Sequence, residues 1–195
     1  MSIGLKGNVD GSGAVQVGGT DAITIATDTT VTMNGGVQRP LLSGTAVAST
    51  SGTSIDFTGI PSWVKRITVM FNGVSTSGTS AQQIQIGTSG GIETTGYVGT
   101  GTTGATGASP TTTNFTAGFG LNSSSVAAQS QQGIATIALL GSNTWVFSFN
   151  GGRDNAVTAQ GAGGKTLAGT LDRVRITTAN GTDTFDAGSI NILYE

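Results

Sequence analysis

Few residues in this chain could carry chemistry, and the closest carboxylate pair in its main part is Asp183 and Asp186. Hydrolysis of a glycosidic bond needs two carboxyl groups facing each other across that bond. Separated loop residues could supply this geometry, although TDTFDAG is more typical of a solvated loop. The pair therefore defines a depolymerase hypothesis that stands behind the non-enzymatic interpretation developed below.

Two residue types that usually carry chemistry are absent, because the 195 residues contain neither histidine nor cysteine. The lack of histidine removes the usual general base near neutral pH and the commonest metal ligand. The lack of cysteine removes thiol catalysis, disulfides and thiolate metal sites. With a net charge of −2, the chain has no basic field for nucleic acid or an anionic membrane. We predict no enzyme activity, no metal or cofactor, no nucleic-acid partner and no membrane insertion.

The sequence GAGGKT at residues 161–166 ends like a phosphate-binding loop. The full pattern requires a glycine five positions before Gly164, where Ala159 stands, and a helix after the threonine. The following LAGTLDRV is typical of a loop and a strand. We therefore reject nucleotide binding.

Three residues are candidate contacts for a glycan or receptor. Tyr97 follows a Gly/Thr turn, so its ring could stack on a sugar or could equally fill the core. Asp154 and Asn155 lie in GGRDNA, which we interpret as a solvated loop around Arg153 and Asp154.

Trp63 beside Lys65 and Arg66 raises the question of a cation-lined site. Strand alternation instead places Ile67 and the two apolar positions after it on one buried face. Lys65 then lies at the beginning of that face, where its side chain can reach water. We interpret the segment as a core strand with a charged margin.

The elements that position these residues are predicted to be strands. The chain has 33 glycines, long Ser/Thr tracts and 6% aromatic residues, a composition poor in helix formers. In TWVFSFNG, Trp145, Phe147 and Phe149 share one face and are predicted to be core. Residues 44–195 are predicted to form an all-β, jelly-roll-like antiparallel β-sandwich.

Residues 1–43 are predicted to be a separate segment of short strands. They contain three apolar pairs with one polar residue inside each pair, which indicates strands with one buried face. So small a core needs the main domain, identical chains or a larger partner to pack on; a simple meander at the edge of one domain is the alternative. The candidate attachment or oligomer contacts are Val15, Val17, Ile23, Ile25, Val31 and Met33.

Two further patterns concern the main domain. Arg-Ile-Thr precedes an Asn-Gly pair both at residues 66–73 and at 175–181, which predicts two long hairpin-like units, by common turn chemistry or by duplication. Residues 94–152 contain no charge, and the Gly/Thr stretch within them, around Gly101, Gly104 and Gly107, is predicted to be a flexible, exposed loop.

Several blocks resemble a C-terminal β domain of bacteriophage and prophage structural proteins, namely tail-fibre or virion-appendage proteins. They are SGTSIDFTGIPSWVKRITVMFNGVSTSGTS, the later GGIETTGYVG and the closing GSINILYE. The most specific parts are IP at 60–61 followed by VKRI at 64–67, and INI at 190–192. No catalytic residues are carried over with this resemblance.

The resemblance implies a β-sandwich on a short N-terminal attachment segment, assembled as a homotrimer. We expect a structural protein of a bacteriophage virion, a short tail-fibre or spike-type appendage that mediates adhesion to the host surface. Other virion proteins, reached through the N-terminal segment, and host-surface glycan are the expected partners. The protein would be made in the host cytoplasm and exposed on the particle. A capsid decoration or head-fibre protein is the alternative.

Overall fold

The fold is known from a computed structural model, which describes residues 3–7, 11–17, 20–27, 31–33 and 36–195. Over these residues the chain is all-β, as predicted, since its regular elements are strands. A helix long and apolar enough to cross a bilayer is absent from this described part. The chain divides into two compact units, Met1–Leu41 and Leu42–Glu195, so the boundary lies two residues before the predicted one.

The N-terminal unit is an antiparallel meander in which each strand pairs with the next. Its register places Leu5 opposite Val15, and places Ile23 between Val15 and Met33. Leu5 is 87% exposed and Met33 is 50% exposed, so this apolar row leaves surface uncovered. The strands are β1 (Ile3–Gly7), β2 (Gly13–Val17), β3 (Thr20–Ile25), β4 (Val31–Met33) and β5 (Gly36–Gln38).

The second unit forms two sheets. Its first strands are β6 (Leu42–Ser43), β7 (Val47–Ala48), β8 (Ser54–Thr58), β9 (Arg66–Thr76), β10 (Gln82–Thr88), β11 (Gly91–Ile92) and β12 (Tyr97–Ala105). The remaining strands are β13 (Thr111–Phe115), β14 (Phe119–Gly120), β15 (Gln131–Gly141), β16 (Thr144–Arg153), β17 (Val157–Thr166), β18 (Arg173–Thr178) and β19 (Phe185–Tyr194).

The large sheet has the order β13-β12-β17-β16-β15-β9-β19-β6, with β7 also pairing with β19. The small sheet has the order β11-β10-β18-β8, with β14 also pairing with β10. All these pairings are antiparallel. The two sheets are therefore unequal, with nine strands against five.

One apolar core lies between the two sheets. Trp145, Phe147 and Phe149 are buried while the residues between them are exposed, as the alternation of β16 predicts. Phe119 of the small sheet stacks on Phe147 of the large sheet, with ring centroids 4.8 Å apart. This contact across the core identifies the unit as a β-sandwich.

Four strand pairs are nested in sequence: β9 with β19, β10 with β18, β12 with β17, and β15 with β16. Nested pairs of this kind result when one long hairpin rolls up. The prediction of two hairpin-like units, β9 with β10 and β18 with β19, is wrong, because the members of each unit lie in different sheets. The Asn72-Gly73 signal marks an irregularity inside β9, where Gly73 has φ 66° and Gly188 of β19 approaches closely.

The prediction of a long flexible loop in the Gly/Thr stretch is also wrong. β12 and β13 pair there, and only residues 106–110 connect them. Threonine favours a pleated strand, and the glycines serve close packing. Gly101 and Gly161 lie opposite each other in β12 and β17. A side chain on Gly101 would overlap the carbonyl of Asn122, and one on Gly161 that of Gly120. The glycines therefore form a notch for β14 and for the segment after it.

Candidate functional site

Tyr97 is a core residue and is 2% exposed. Its hydroxyl donates to the Glu93 carbonyl (2.9 Å) and accepts from the Ile86 N–H (2.8 Å). Its ring packs edge-on against Phe119, with centroids 4.9 Å apart. Burial raises the pKa of the Tyr97 hydroxyl. The proposed glycan contact at Tyr97 is therefore wrong, and the alternative position in the core is confirmed.

Asp154 and Asn155 form the exposed turn between β16 and β17. Asp154 orders the preceding segment, since its Oδ2 accepts from the Ser130 N–H (3.3 Å) and its carbonyl accepts from Gln129 Nε2 (3.0 Å). Receptor contact by these two exposed residues stays a prediction. The solvated-loop interpretation is wrong for Arg153, which is only 8% exposed. Arg153 points inward on the same face of β16 as Phe149, because side chains two residues apart in a strand share a face.

Asp183 and Asp186 hydrogen-bond to different parts of the fold. Asp183 accepts from the Ser80 N–H (3.0 Å) and from Asn180 Nδ2 (2.7 Å). Asp186 accepts from the Ser75 hydroxyl. Both carboxylates thus hold neighbouring segments in place, and the structure assigns them contacts with this chain's own backbone and polar groups.

The segment around Trp63 is a strand entry with a charged margin, as predicted. Lys65 and Arg66 are exposed, whereas the apolar face of β9 is buried. The Arg66 guanidinium pairs with the Glu195 carboxylate. Trp63 packs against Tyr194, with ring centroids 6.2 Å apart. The interpretation as a core strand is confirmed.

The candidate attachment residues lie in β2, β3 and β4 of the N-terminal unit. Val15, Ile23 and Val31 are half-buried, Ile25 is 49% exposed and Met33 is 50% exposed. The side chain of Val17 lies outside the described part of the chain. What these residues contact on a particle stays a prediction.

A concave surface forms on the outer side of the small sheet. In β10, Ile84 and Ile86 point into the core, so Gln83 and Gln85 lie on the opposite side of the strand, where other segments cover them and leave them 3% and 6% exposed. The segment 115–118 packs against these glutamines, because Gln85 Nε2 donates to the Ala117 carbonyl (2.9 Å). This contact sets one wall of the concave surface.

Two clefts adjoin on this surface, one of about 400 Å³ and one of about 230 Å³. They share Gln83, Ala117 and Ala179, so they form one continuous depression. We call it the polar groove. Its lining residues fall within 53–54, 79–85, 113–117, 123–124 and 175–181.

The lining of the polar groove is almost free of net charge. Serine, threonine, asparagine and glutamine supply its polar groups, and Arg175 is its one charged lining residue in the described structure. Arg175 donates two hydrogen bonds to Asp56, with Nε–Oδ1 and Nη2–Oδ2 both 2.7 Å. These bonds raise the pKa of Arg175 and neutralise its charge locally. The groove thus offers hydroxyl and amide groups to a neutral ligand.

No protein-family model, curated protein or solved structure matches this chain. Within the described residues, no group of three or more acidic side chains lies close enough together to hold a metal ion. The geometry of the polar groove is therefore the main guide to what the protein binds.

The polar groove was not predicted from the sequence. A signal was present in AQQIQIG, where Gln83 and Gln85 alternate with isoleucines and so must face away from the core. The other walls come from residues 113–117 and 175–181, which are distant in sequence. Only the pairing of β10 with β14 and β18 brings them together.

Proposed function

We propose that this chain is a non-enzymatic structural protein of a bacteriophage virion, a short tail-fibre or spike-type appendage that adheres to host-surface glycan. The polar groove is the observation that carries the adhesive role. The resemblance of residues 51–99 and of the closing GSINILYE supports the virion location. A particle protein with this role works by binding and needs no catalytic group.

A glycan fits the polar groove because a sugar combines neutral hydroxyl groups with apolar C–H faces, and the larger cleft combines neutral polar groups with a mainly apolar surface. The exposed polar lining residues include Asn114, Thr116 and Ser124. An asparagine side chain has two donors and an acceptor, and each hydroxyl has both functions. A cleft of about 400 Å³ has the size of an ordinary small-ligand site. The adjoining second cleft extends the surface, which favours a chain of sugars over a single one.

The groove would bind one glycan weakly. Phe115 lines it, but this ring is 4% exposed and offers no stacking platform. Hydrogen bonds to a sugar replace hydrogen bonds to water, so each contributes only about 0.5–1.5 kcal/mol. Several copies on one particle would compensate, because linked sites bind with much greater avidity than one site.

Self-association and attachment form the second part of the proposal, with a homotrimer as the expected state. The exposed apolar row of the N-terminal unit is suited to packing on sister chains or on other virion proteins. On the outer face of the large sheet, Val98 (76% exposed) and Val146 (41% exposed) flank Gly164. Native mass spectrometry of the full chain tests this part, and a monomer at micromolar concentration would contradict it.

The adhesive role is tested by binding of the labelled full chain to host cells and to immobilised surface polysaccharide. Ala179→Arg places a long side chain where the two clefts meet, and it should abolish binding. Ala127→Arg is the matched control, because Ala127 is also exposed but lies outside the groove lining. Equal binding by Ala179→Arg and the unmodified chain, with unchanged circular dichroism, would exclude the groove as the glycan site.

The virion location is tested by electron cryomicroscopy of particles produced from a phage genome that encodes the chain. Density for the sandwich at the tail or spike supports the appendage. Density on the capsid favours the head-fibre alternative. Particles without the protein would overturn the structural role.

A further inference from the structure

One end of the sandwich core contains a cluster of buried polar side chains outside the polar groove. Gln82, Asn122 and Gln131 are each 0% exposed, and Arg153 is 8% exposed. We call these four residues the core-end cluster. Its members come from β10, from the segment after β14, and from β15 and β16.

The fold brings these side chains together through strand register and hydrogen bonds. Gln131 begins β15, Arg153 ends β16, and the two lie directly opposite each other. Directly opposite residues have Cβ atoms about 4.5–5.5 Å apart and share a face of the sheet. Asn122 joins the others, since its Nδ2 donates to Gln131 Oε1 (3.1 Å) and its Oδ1 accepts from the Gln82 N–H (3.3 Å).

Several polar atoms of this cluster lack a hydrogen-bond partner in the protein. They are Nε2 and Oε1 of Gln82, Nε2 of Gln131, and Nε and Nη1 of Arg153. Four of these five atoms are donors. The unsatisfied surface is therefore rich in N–H groups, and a complementary ligand must supply acceptors.

The positive charge of Arg153 also lacks a counter-ion within the described residues. The ion pairs found there engage Arg66, Lys165, Arg173 and Arg175. The adjacent Asp154 is exposed and accepts from the Ser130 N–H. Burial lowers the pKa of Arg153, and Asp154 opposes this only in part. An arginine side chain nevertheless stays protonated in proteins, and its buried Nε and Nη1 face neither a carboxylate nor another acceptor of the described chain.

We propose that the core-end cluster binds a small oxyanion, with Arg153 supplying the charge and the amides of Gln131 and Gln82 supplying further donors. Inorganic sulfate or phosphate and a free carboxylate share the required acceptor chemistry. Water could satisfy the donors, but it would leave the charge uncompensated.

The first test compares thermal unfolding in sodium sulfate, sodium acetate and sodium chloride at matched ionic strength. Binding to the folded state should raise the midpoint in sulfate or acetate above that in chloride, by about 2–4 °C. The anion with the larger rise distinguishes the inorganic from the carboxylate source. Arg153→Met should reduce the difference to the general effect of the salt, whereas Arg66→Met, which removes an exposed arginine, should retain it in full. Sulfate stabilises many proteins generally, and this contribution is common to both variants, so that the difference between Arg153→Met and Arg66→Met isolates the effect of the site.

The order of stability of Arg153→Met and the unmodified chain should reverse between chloride and sulfate, which a general salt effect would not produce. In chloride, Arg153→Met should be at least as stable as the unmodified chain, because it removes a buried unpaired charge. In sulfate the unmodified chain should be the more stable. An equal difference between the two proteins in both salts would overturn the proposal.

A second variant supplies the counter-charge from within the protein. Gln131→Glu exchanges one amide nitrogen for oxygen, which removes an unpartnered donor beside Arg153 and retains the acceptor for Asn122. It should fold and should lose the dependence on sulfate. A crystal soaked in selenate provides the direct observation: anomalous density within hydrogen-bonding distance of Arg153 supports the site, and ordered water alone overturns it.

Discussion

The sandwich holds a buried cation near each end of the β16–β17 hairpin, and the two ends treat that cation differently. Lys165 and Arg153 are each 8% exposed. Lys165 Nζ lies 2.5 Å from Glu93 Oε2 and 5.5 Å from the centre of the Tyr97 ring. Arg153 has no carboxylate at ion-pair distance among the residues that the structure describes. The two cations are equally buried, so they differ in their counter-charge: the chain supplies one to Lys165 and none at ion-pair distance to Arg153 among the described residues.

The Lys165 end is completed by the chain itself. Burial acts to raise the pKa of Glu93, but hydrogen bonds from Lys165 and from the Ala168 N–H outweigh it, so that the pKa is lowered. The ion pair is therefore formed at neutral pH, and the donors around Glu93 leave little for a further ligand to satisfy.

The largest loss of stability is expected when the counter-charge of Lys165 is removed. Glu93→Gln leaves the lysine buried and unpaired, and we expect the free energy of unfolding to fall by about 2–3 kcal/mol. The double variant Glu93→Gln/Lys165→Met should recover much of this loss, because no buried charge remains. Urea unfolding of the four proteins in the cycle measures the coupling. A Glu93→Gln variant as stable as the unmodified chain would show that Glu93 does not stabilise the buried Lys165.

The same pair predicts a dependence on pH. The pKa of Glu93 is lowered in the folded chain from its ordinary 4.5, so its contribution is complete above 4.5 and is lost as the pH falls through the folded value. Between neutral pH and pH 3, the unmodified chain should lose more stability than Glu93→Gln. The difference should be smaller than the effect of the substitution, since protonated Glu93 keeps an acceptor. Parallel losses for the two proteins would show that other carboxylates dominate.

A carboxylate placed beside Arg153 should raise the free energy of unfolding, whereas removal of the Glu93 carboxylate beside Lys165 lowers it. In sulfate-free buffer we expect Gln131→Glu to raise the free energy of unfolding by about 1 kcal/mol, because a carboxylate then faces Arg153. This gain should disappear in acid as the new carboxyl becomes protonated. Gln132→Glu is a suitable control, since the neighbouring side chain is exposed. A gain of equal size in the control would indicate a general charge effect.

The smallest effect is expected at an exposed pair. The side chains of Arg66 and Glu195 are 56% and 35% exposed, so solvent screens their attraction. Arg66→Met should change the free energy of unfolding by about 0.5 kcal/mol or less, and less still in 1 M salt. A loss as large as that of Glu93→Gln would contradict our inference that burial determines how much a charged pair contributes to stability.

The periodic parts of the fold could be predicted from the sequence. Alternation in β9 and β16 identified buried faces, since a strand side must bury its apolar residues wherever it lies in a sandwich. Strand pairing could not be predicted in the same way. The Asn-Gly pairs suggested local hairpins, but the best partners of β9 and β10 were β19 and β18, which no local turn specifies.

The roles of Gly101 and Arg153 and the position of the polar groove were harder to predict from the sequence. Gly101 was assigned to a loop because its composition suggests flexibility, whereas the approach of Asn122 requires a residue without a side chain there. Arg153 was also assigned to a loop, although two-residue steps from Phe149 place it on the inward phase of β16. The polar groove needs segments that only the folded topology brings together.

The position of β19 has a consequence for how the protein is made. This strand inserts between β9 and β6, and it pairs Tyr194 with Ile67 across most of the unit. During translation, β9 therefore lacks its second neighbour until residues 185–194 have been synthesised. Pairings between such distant positions form slowly, so the nascent chain exposes a sheet edge for much of its synthesis. Ribosome pausing or a chaperone that shields β9 should then affect the yield of the folded protein more than any single surface residue does.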